Sequence, residues 1–241
     1  MDTTTFFPTR LGLFTLCLIS SWVQSAELVP IKDGPEQRAE FRKAVFQLFE
    51  QERFDLLESM GNHLVDKQER FPEGLWKAER FFSGCDNDVN TDAEARAGLE
   101  RLDRWEKQFP QSEWVPILRA SLWNHYAWAA RGSGYANTVT DEGWKNFAKR
   151  LAEAKRILEA TPSRADGSRN PFWYLTMQTT ALGQSWKRSD YEALFLEATT
   201  HHPDFHYFYL KKGYFLLPRW YGKKGEWQKF AVEASKKHGA D

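Results

Sequence analysis

The 241-residue chain carries 33 basic and 33 acidic side chains, so its formal net charge at neutral pH is zero. A balanced chain has no electrostatic footprint for a polyanion, which sets nucleic acid aside as a partner. Aromatic residues make up 15% of the chain, eleven of them tryptophan; such rings bury about 150–250 Å² each and can hold thin helical layers together without a deep central core.

Residues 1–25 read as a secretory signal peptide. Arg10 precedes an apolar run from Leu11 to Ile19, which ends in Ser20 and Ser21. The run is about half the length that a membrane anchor of roughly 20 apolar residues requires, so no membrane span is expected once the segment is removed. The alternative is a buried N-terminal helix. Cleavage after Ser25 places Val23 and Ser25 at the positions read by the peptidase, and cleavage one residue later places Ala26 at the last of them. Cys17 follows the large Leu16, which argues against lipidation. Cys85 is the only other cysteine, so the mature chain forms no internal disulfide. That fits a bacterial periplasmic or secreted location better than a disulfide-stapled eukaryotic one. Residues 26–35 read as a linker and residues 36–241 as one helical-repeat domain.

From Glu36 to Gln51, Phe41, Ala44, Val45, Leu48 and Phe49 recur at helical spacing. Phe54, Leu57, Gly61 and Leu64 repeat it, and the short Glu52-Arg53 connection makes these two helices antiparallel. Arg70-Phe71-Pro72 ends the pair, because proline cannot continue a helix. The next helix is expected from near Gly74, carrying Leu75, Trp76, Phe81 and Phe82, and stopping at Ser83-Gly84. Thr91, with Glu94 three residues on, forms a capping box for a helix running to Phe109 through Ala95, Leu99, Leu102 and Trp105. Phe109-Pro110 repeats the Phe-Pro stop, and Trp114 lies four residues past Pro110 as Trp76 does past Pro72. Val115, Leu118, Leu122, Tyr126 and Ala129 then share one face, as do Trp144, Phe147, Leu151, Ala154 and Leu158. The last helices are expected over residues 171–186, 190–200, 205–217 and 226–238.

Helix-ending prolines at 72, 110, 162 and 203 mark degenerate units near the length of tetratricopeptide repeats. Their long middle gap holds the Gly-rich loop from Gly132 to Thr140 and the polar loop from Ser163 to Asn170. The fold class expected is all-α, with antiparallel helix pairs stacked as a short tetratricopeptide-like superhelix.

Three segments stand out chemically. Ala130-Arg131-Gly132-Ser133-Gly134-Tyr135-Ala136 places an arginine at a helix end before two glycines, which suits an anion cradle and equally an ordinary helix stop. Leu217-Pro218-Arg219-Trp220-Tyr221-Gly222 suits a rigid turn in which Arg219 stacks on a ring, either to fix the last helix or to meet a ligand. His201-His202-Pro203-Asp204-Phe205-His206 gathers zinc-type ligands, but Pro203 breaks the helix turn that would join His202 to His206. No metal site and no cofactor is expected. Glu69, Glu73 and Glu79 near Trp76 are the carboxylates to weigh for acid chemistry in a sugar groove.

The stretch from Trp128 through Arg131 to Ala136, with Trp144, Phe147, Pro171-Phe172-Trp173-Tyr174 and Leu217 to Gly222, resembles the bacterial family DUF4034. The resemblance covers residues 110–235 and implies a helical, tetratricopeptide-like architecture with no activity to carry over. Residues 36–109 read only as helical repeat in general style. Together these features point to an exported, non-enzymatic module of the bacterial envelope that binds protein. Arg131, Tyr135, Trp144, Arg219 and Trp220 are its expected binding residues, since aromatic and arginine side chains anchor such surfaces. The alternative is an exported protein that binds or cleaves glycans in an aromatic-lined groove.

Overall fold

The computed structural model describes residues 34–239. The signal segment of residues 1–25 and most of the expected linker lie outside the described residues, while Gly34 and Pro35 already belong to the first helix. Among the described residues the chain forms ten α-helices: α1 (Gly34–Glu50), α2 (Phe54–Asp66), α3 (Lys77–Cys85), α4 (Asp92–Gln108), α5 (Trp114–Arg131), α6 (Asp141–Ala160), α7 (Pro171–Gly183), α8 (Arg188–His201), α9 (Tyr207–Phe215) and α10 (Glu226–His238). One 3-10 turn, Ala136–Thr138, interrupts the loop after α5.

The local devices read from the sequence operate where expected. Thr91 accepts from the Glu94 backbone N–H at 3.2 Å, and the Glu94 carboxylate accepts from the Thr91 N–H at 3.0 Å, closing the capping box that starts α4. Asn170 caps α7 by accepting from the Phe172 N–H, and Pro171 occupies the first turn, where its missing N–H loses nothing. Gly132, at φ 70°, ends α5 in a region that favours glycine. One start is corrected. The helix expected from Gly74 begins at Lys77, because Arg70 and Trp76 pair across a tight turn in which Phe71 donates to the Leu75 carbonyl at 2.8 Å. Those backbone bonds hold Leu75 and Trp76 out of the helix.

The pairs α1–α2, α5–α6, α7–α8 and α9–α10 pack as hairpins. The pair α3–α4 parts company: α3 packs on α1 and α2, and α4 packs on α5. First helices of successive units also adjoin, α1 on α3, α5 on α7 and α7 on α9. They form one layer, with the second helices outside it. Phe81 of α3 meets Trp114 of α5 edge to face at 4.8 Å, which links the two halves of that layer.

Large rings form the joints between layers. Trp105 stacks on Phe54 at 5.1 Å and donates its indole N–H to the Glu58 carboxylate at 2.7 Å. Burial pushes the Glu58 carboxyl above its ordinary range. Trp114 touches Phe81 and Phe172 and donates to the Asn62 side chain at 2.9 Å. Trp76 donates to the Asp204 carbonyl at 3.1 Å and meets Phe205 at 5.2 Å, while Phe82 stacks on Phe172 at 4.6 Å. These contacts draw the second unit against the starts of α7 and α9, so the stack folds back on itself.

Candidate binding face

The inner layer brings three helix faces together. On α5, Ser121, His125 and Trp128 follow one another at four- and three-residue steps, which places them on one side of the helix. Tyr207, Lys211 and Tyr214 do the same on α9. Between them runs α7: Thr179 accepts from the Lys211 ammonium at 2.9 Å, and Gly183 lies under Trp128, whose ring would be 3.3 Å from a Cβ placed there.

At one end of this face the two Gly-Arg-aromatic segments meet. The Arg131 guanidinium lies 5.7 Å from each of three indole rings, Trp128, Trp144 and Trp220. Such separations lie within cation–π range. Arg131 also donates to the carbonyls of Gly132 at 3.1 Å and Gly134 at 3.2 Å, so the same charge ties down the loop that follows α5. Trp128 and Trp220 meet edge to face at 5.7 Å. Trp220 lies 5.9 Å from Tyr214, and Arg219 stacks on Tyr214 at 4.9 Å. Trp144 is 38% exposed and Tyr214 41%, so the cluster presents aromatic surface to solvent.

Of the five residues nominated from the sequence, Arg131, Trp144 and Trp220 therefore meet directly, and Arg219 joins them through Tyr214. Tyr135 does not: it stands 85% exposed on the loop after α5, outside the cluster, because the turn over Ala136–Thr138 carries it away from α6. Trp128, one helical turn before Arg131 on the same helix, belongs to the cluster although the sequence alone does not single it out as a site residue. Tyr214 gives no sequence signal, since only the chain reversal at residues 216–222 brings it beside Arg219.

The middle of the face is polar. Asp86, just beyond α3, accepts from the Ser121 hydroxyl at 2.9 Å and pairs with His125 Nε2 at 3.0 Å. His125 Nδ1 lies 3.4 Å from an Asp88 carboxylate oxygen. Burial by itself would lower the His125 pKa; the Asp86 hydrogen bond and charge, helped by Asp88, outweigh burial and the nearby Lys211 charge, and raise it. Lys211 is shifted down by burial, with Asp86 opposing. A histidine whose folded pKa is raised contributes stability that is full below its unfolded value, near 6.5, and is lost as pH rises through the folded value. Wild type is therefore expected to exceed His125→Gln in unfolding free energy by more at about pH 6 than at about pH 8.5. Taking the difference removes the opposite contributions of His202 and His206, whose pKa values burial lowers. Urea titrations at the two pH values read it, and a difference independent of pH would refute the pairing.

The carboxylates weighed for acid chemistry are not in a tryptophan-lined cleft. Trp76 is 1% exposed and packs in the core. Glu69 is held below its ordinary pKa, Lys77 and His63 outweighing its burial, and Glu73 pairs with Arg38. Glu79 is raised by burial, and its neighbours are Arg80 at 3.0 Å and the Tyr207 hydroxyl at 3.4 Å. The three neighbouring histidines diverge: His202 donates to the Arg169 carbonyl at 2.8 Å, His206 packs on Tyr207, and His201 ends α8.

A family model described as a domain of unknown function, DUF4034, matches residues 41–161, half of the chain. The chain belongs to the DUF4034 family. The match shares residues 110–161 with the resembling stretch and adds residues 41–109, so most of α1 and all of α2 to α4, read only as generic repeat, fall within the family's domain. The DUF4034 match contains Asp86, His125, Trp128, Arg131 and Trp144, whereas Lys211, Tyr214, Arg219 and Trp220 come from beyond it. No curated protein and no solved structure matches the chain.

Proposed function

We propose that this DUF4034 protein is a non-catalytic binding module of the bacterial envelope, and that it holds a segment of a partner protein along the face framed by α5, α7 and α9. The observation that carries this reading is the convergence of Arg131, Trp128, Trp144 and Trp220, continued by Tyr214 and Arg219, at one half-exposed end of that face. Tryptophan, tyrosine and arginine are the side chains from which binding hot spots are most often built. Arg131 preorganises the rings, so a partner that meets them gains contact without ordering loose side chains. The export reading rests on the signal-like segment at residues 1–25 and on the lack of a cysteine pair in the mature chain. Cys85 is buried, and its thiol is pushed well up by burial, which suits a packing role.

An affinity pull-down from envelope extract tests the reading. Arg219→Ala and Trp220→Ala are each expected to reduce recovery of one and the same partner by about tenfold or more, the scale of a truncated hot spot. Circular dichroism establishes that both variants stay helical. Equal recovery by wild type and both variants would overturn the proposal.

A further inference from the structure

A cavity of about 330 Å³ opens between α1 and α3, far along the chain from the tryptophan cluster. Its charged lining is entirely cationic: Arg38, Arg42, Lys43 and Arg80, with Phe46 as an apolar wall. In a chain with equal numbers of acidic and basic residues, four cations around one opening are a local departure from the average. Two of these charges are balanced, Arg38 by Glu73 and Arg80 by Glu79. Glu79 also feels the charges of Arg42 and Arg38, so four cations share two carboxylates. Arg42 donates its Nε–H to the Ser83 carbonyl at 3.0 Å, which orients the guanidinium, and no ion pair within 4 Å holds it among the described residues. Lys43 has no carboxylate partner among the described residues.

Arg38 and Arg42 lie one helical turn apart, a like-charge spacing that destabilises a helix when nothing neutralises it. Phe46 lies one turn further on and is 37% exposed, so the same face of α1 offers charge and then an apolar surface. Guanidinium groups bind carboxylate and phosphate oxygens through paired N–H donors, and an ammonium adds a point charge. The volume is at the lower end of the range for small-molecule sites.

We propose that this pocket binds a small, multiply charged oxyanion, a molecule carrying two or more carboxylate or phosphate groups. The four cations outnumber the two carboxylates, Glu73 and Glu79, beside them; Arg42 and Lys43 offer the donors, Arg38 and Arg80 add charge, and Phe46 covers the ligand's apolar part. The site adjoins the Tyr207 end of the α5–α7–α9 face through Glu79 but shares no lining residue with the tryptophan cluster at the other end, and its occupancy does not depend on the partner-binding reading.

Isothermal titration of the full chain with citrate and with pyrophosphate tests it. At low salt at least one of the two is expected to bind with a Kd below about 1 mM, and binding weakens as salt is raised. Citrate alone would identify carboxylate ligands and pyrophosphate alone phosphate ligands; either supports the site. Arg42→Ala combined with Lys43→Ala is expected to weaken binding by about tenfold or more. Lys43→Ala alone removes no ion pair or hydrogen bond among the described residues and keeps the test valid if the double variant misfolds; it should weaken binding by at least about threefold. Arg219→Ala, on the other face, should leave anion binding unchanged while it loses the partner. Failure of both anions to bind wild type, or equal binding by the Arg42 and Lys43 variants, would overturn the proposal and leave the partner-binding reading standing.

Discussion

Trp114→Ala is expected to lower the unfolding free energy by about 3–5 kcal/mol, the upper range for truncating a buried ring. Trp114, in α5, is fully buried where it meets three other units: its ring touches Phe81 of α3 and Phe172 of α7, and its indole N–H satisfies Asn62 of α2. Removing it opens a cavity bounded by elements that cannot all close in. Gly61 shows how tightly the space is shared, since a Cβ there would lie 2.6 Å from Phe81 and 2.7 Å from Trp114. The truncation also leaves the Asn62 oxygen without its donor. Trp144→Ala provides the contrast. That ring is 38% exposed, so its loss should amount to less than about 1–2 kcal/mol on burial alone. Urea unfolding measures both, and a Trp114→Ala effect no larger than that of Trp144→Ala would show that the units are not joined through this ring.

Gly222→Ala is the second substitution with a large expected effect, a destabilisation of about 3 kcal/mol, at the top of the range for overpacking. The reason is close approach. A Cβ at Gly222 would lie 1.8 Å from the Leu216 carbonyl oxygen and 2.3 Å from its carbon. Both are backbone atoms of a buried residue, so no side chain can turn aside to make room. The reversal there is held by Trp220 N–H to the Leu217 carbonyl at 2.8 Å and Tyr221 N–H to the Phe215 carbonyl at 3.2 Å. The Tyr221 hydroxyl further ties it to the Leu182 carbonyl at 2.8 Å. Forcing the turn open displaces Trp220 from Trp128 and Arg131 and loosens α10. The variant should therefore unfold at lower urea, lose amide protection across α10, and recover less of the binding partner. An unchanged midpoint with full protection of α10 would contradict the account.

Much of the fold was legible in the sequence because it follows from local chemistry. The periodic apolar residues of α1, α2 and α6, the Thr91–Glu94 box and the Pro171 start specify helices through contacts within a few residues of one another. Gly74 to Trp76 misled for the opposite reason: their helical spacing yields to backbone bonds across a turn. The candidate face was legible only in part. Arg131 and Arg219 are conspicuous beside their glycines and rings, but neither segment shows that it meets the other. Asp86, His125 and Lys211 look like ordinary polar and charged positions in separate segments of the chain.

The sequence by itself determined that this protein is a series of amphipathic helices interrupted by proline, since each such signal acts over one or two turns of chain. Tertiary structure alone decided that α3 leaves α4 for α1, that Trp76 reaches Asp204, and that Arg131 lies among three tryptophans from distant segments. Those outcomes depend on which buried rings fill which spaces between layers. That is a property of shape and volume shared by residues far apart, and spacing along the chain does not encode it.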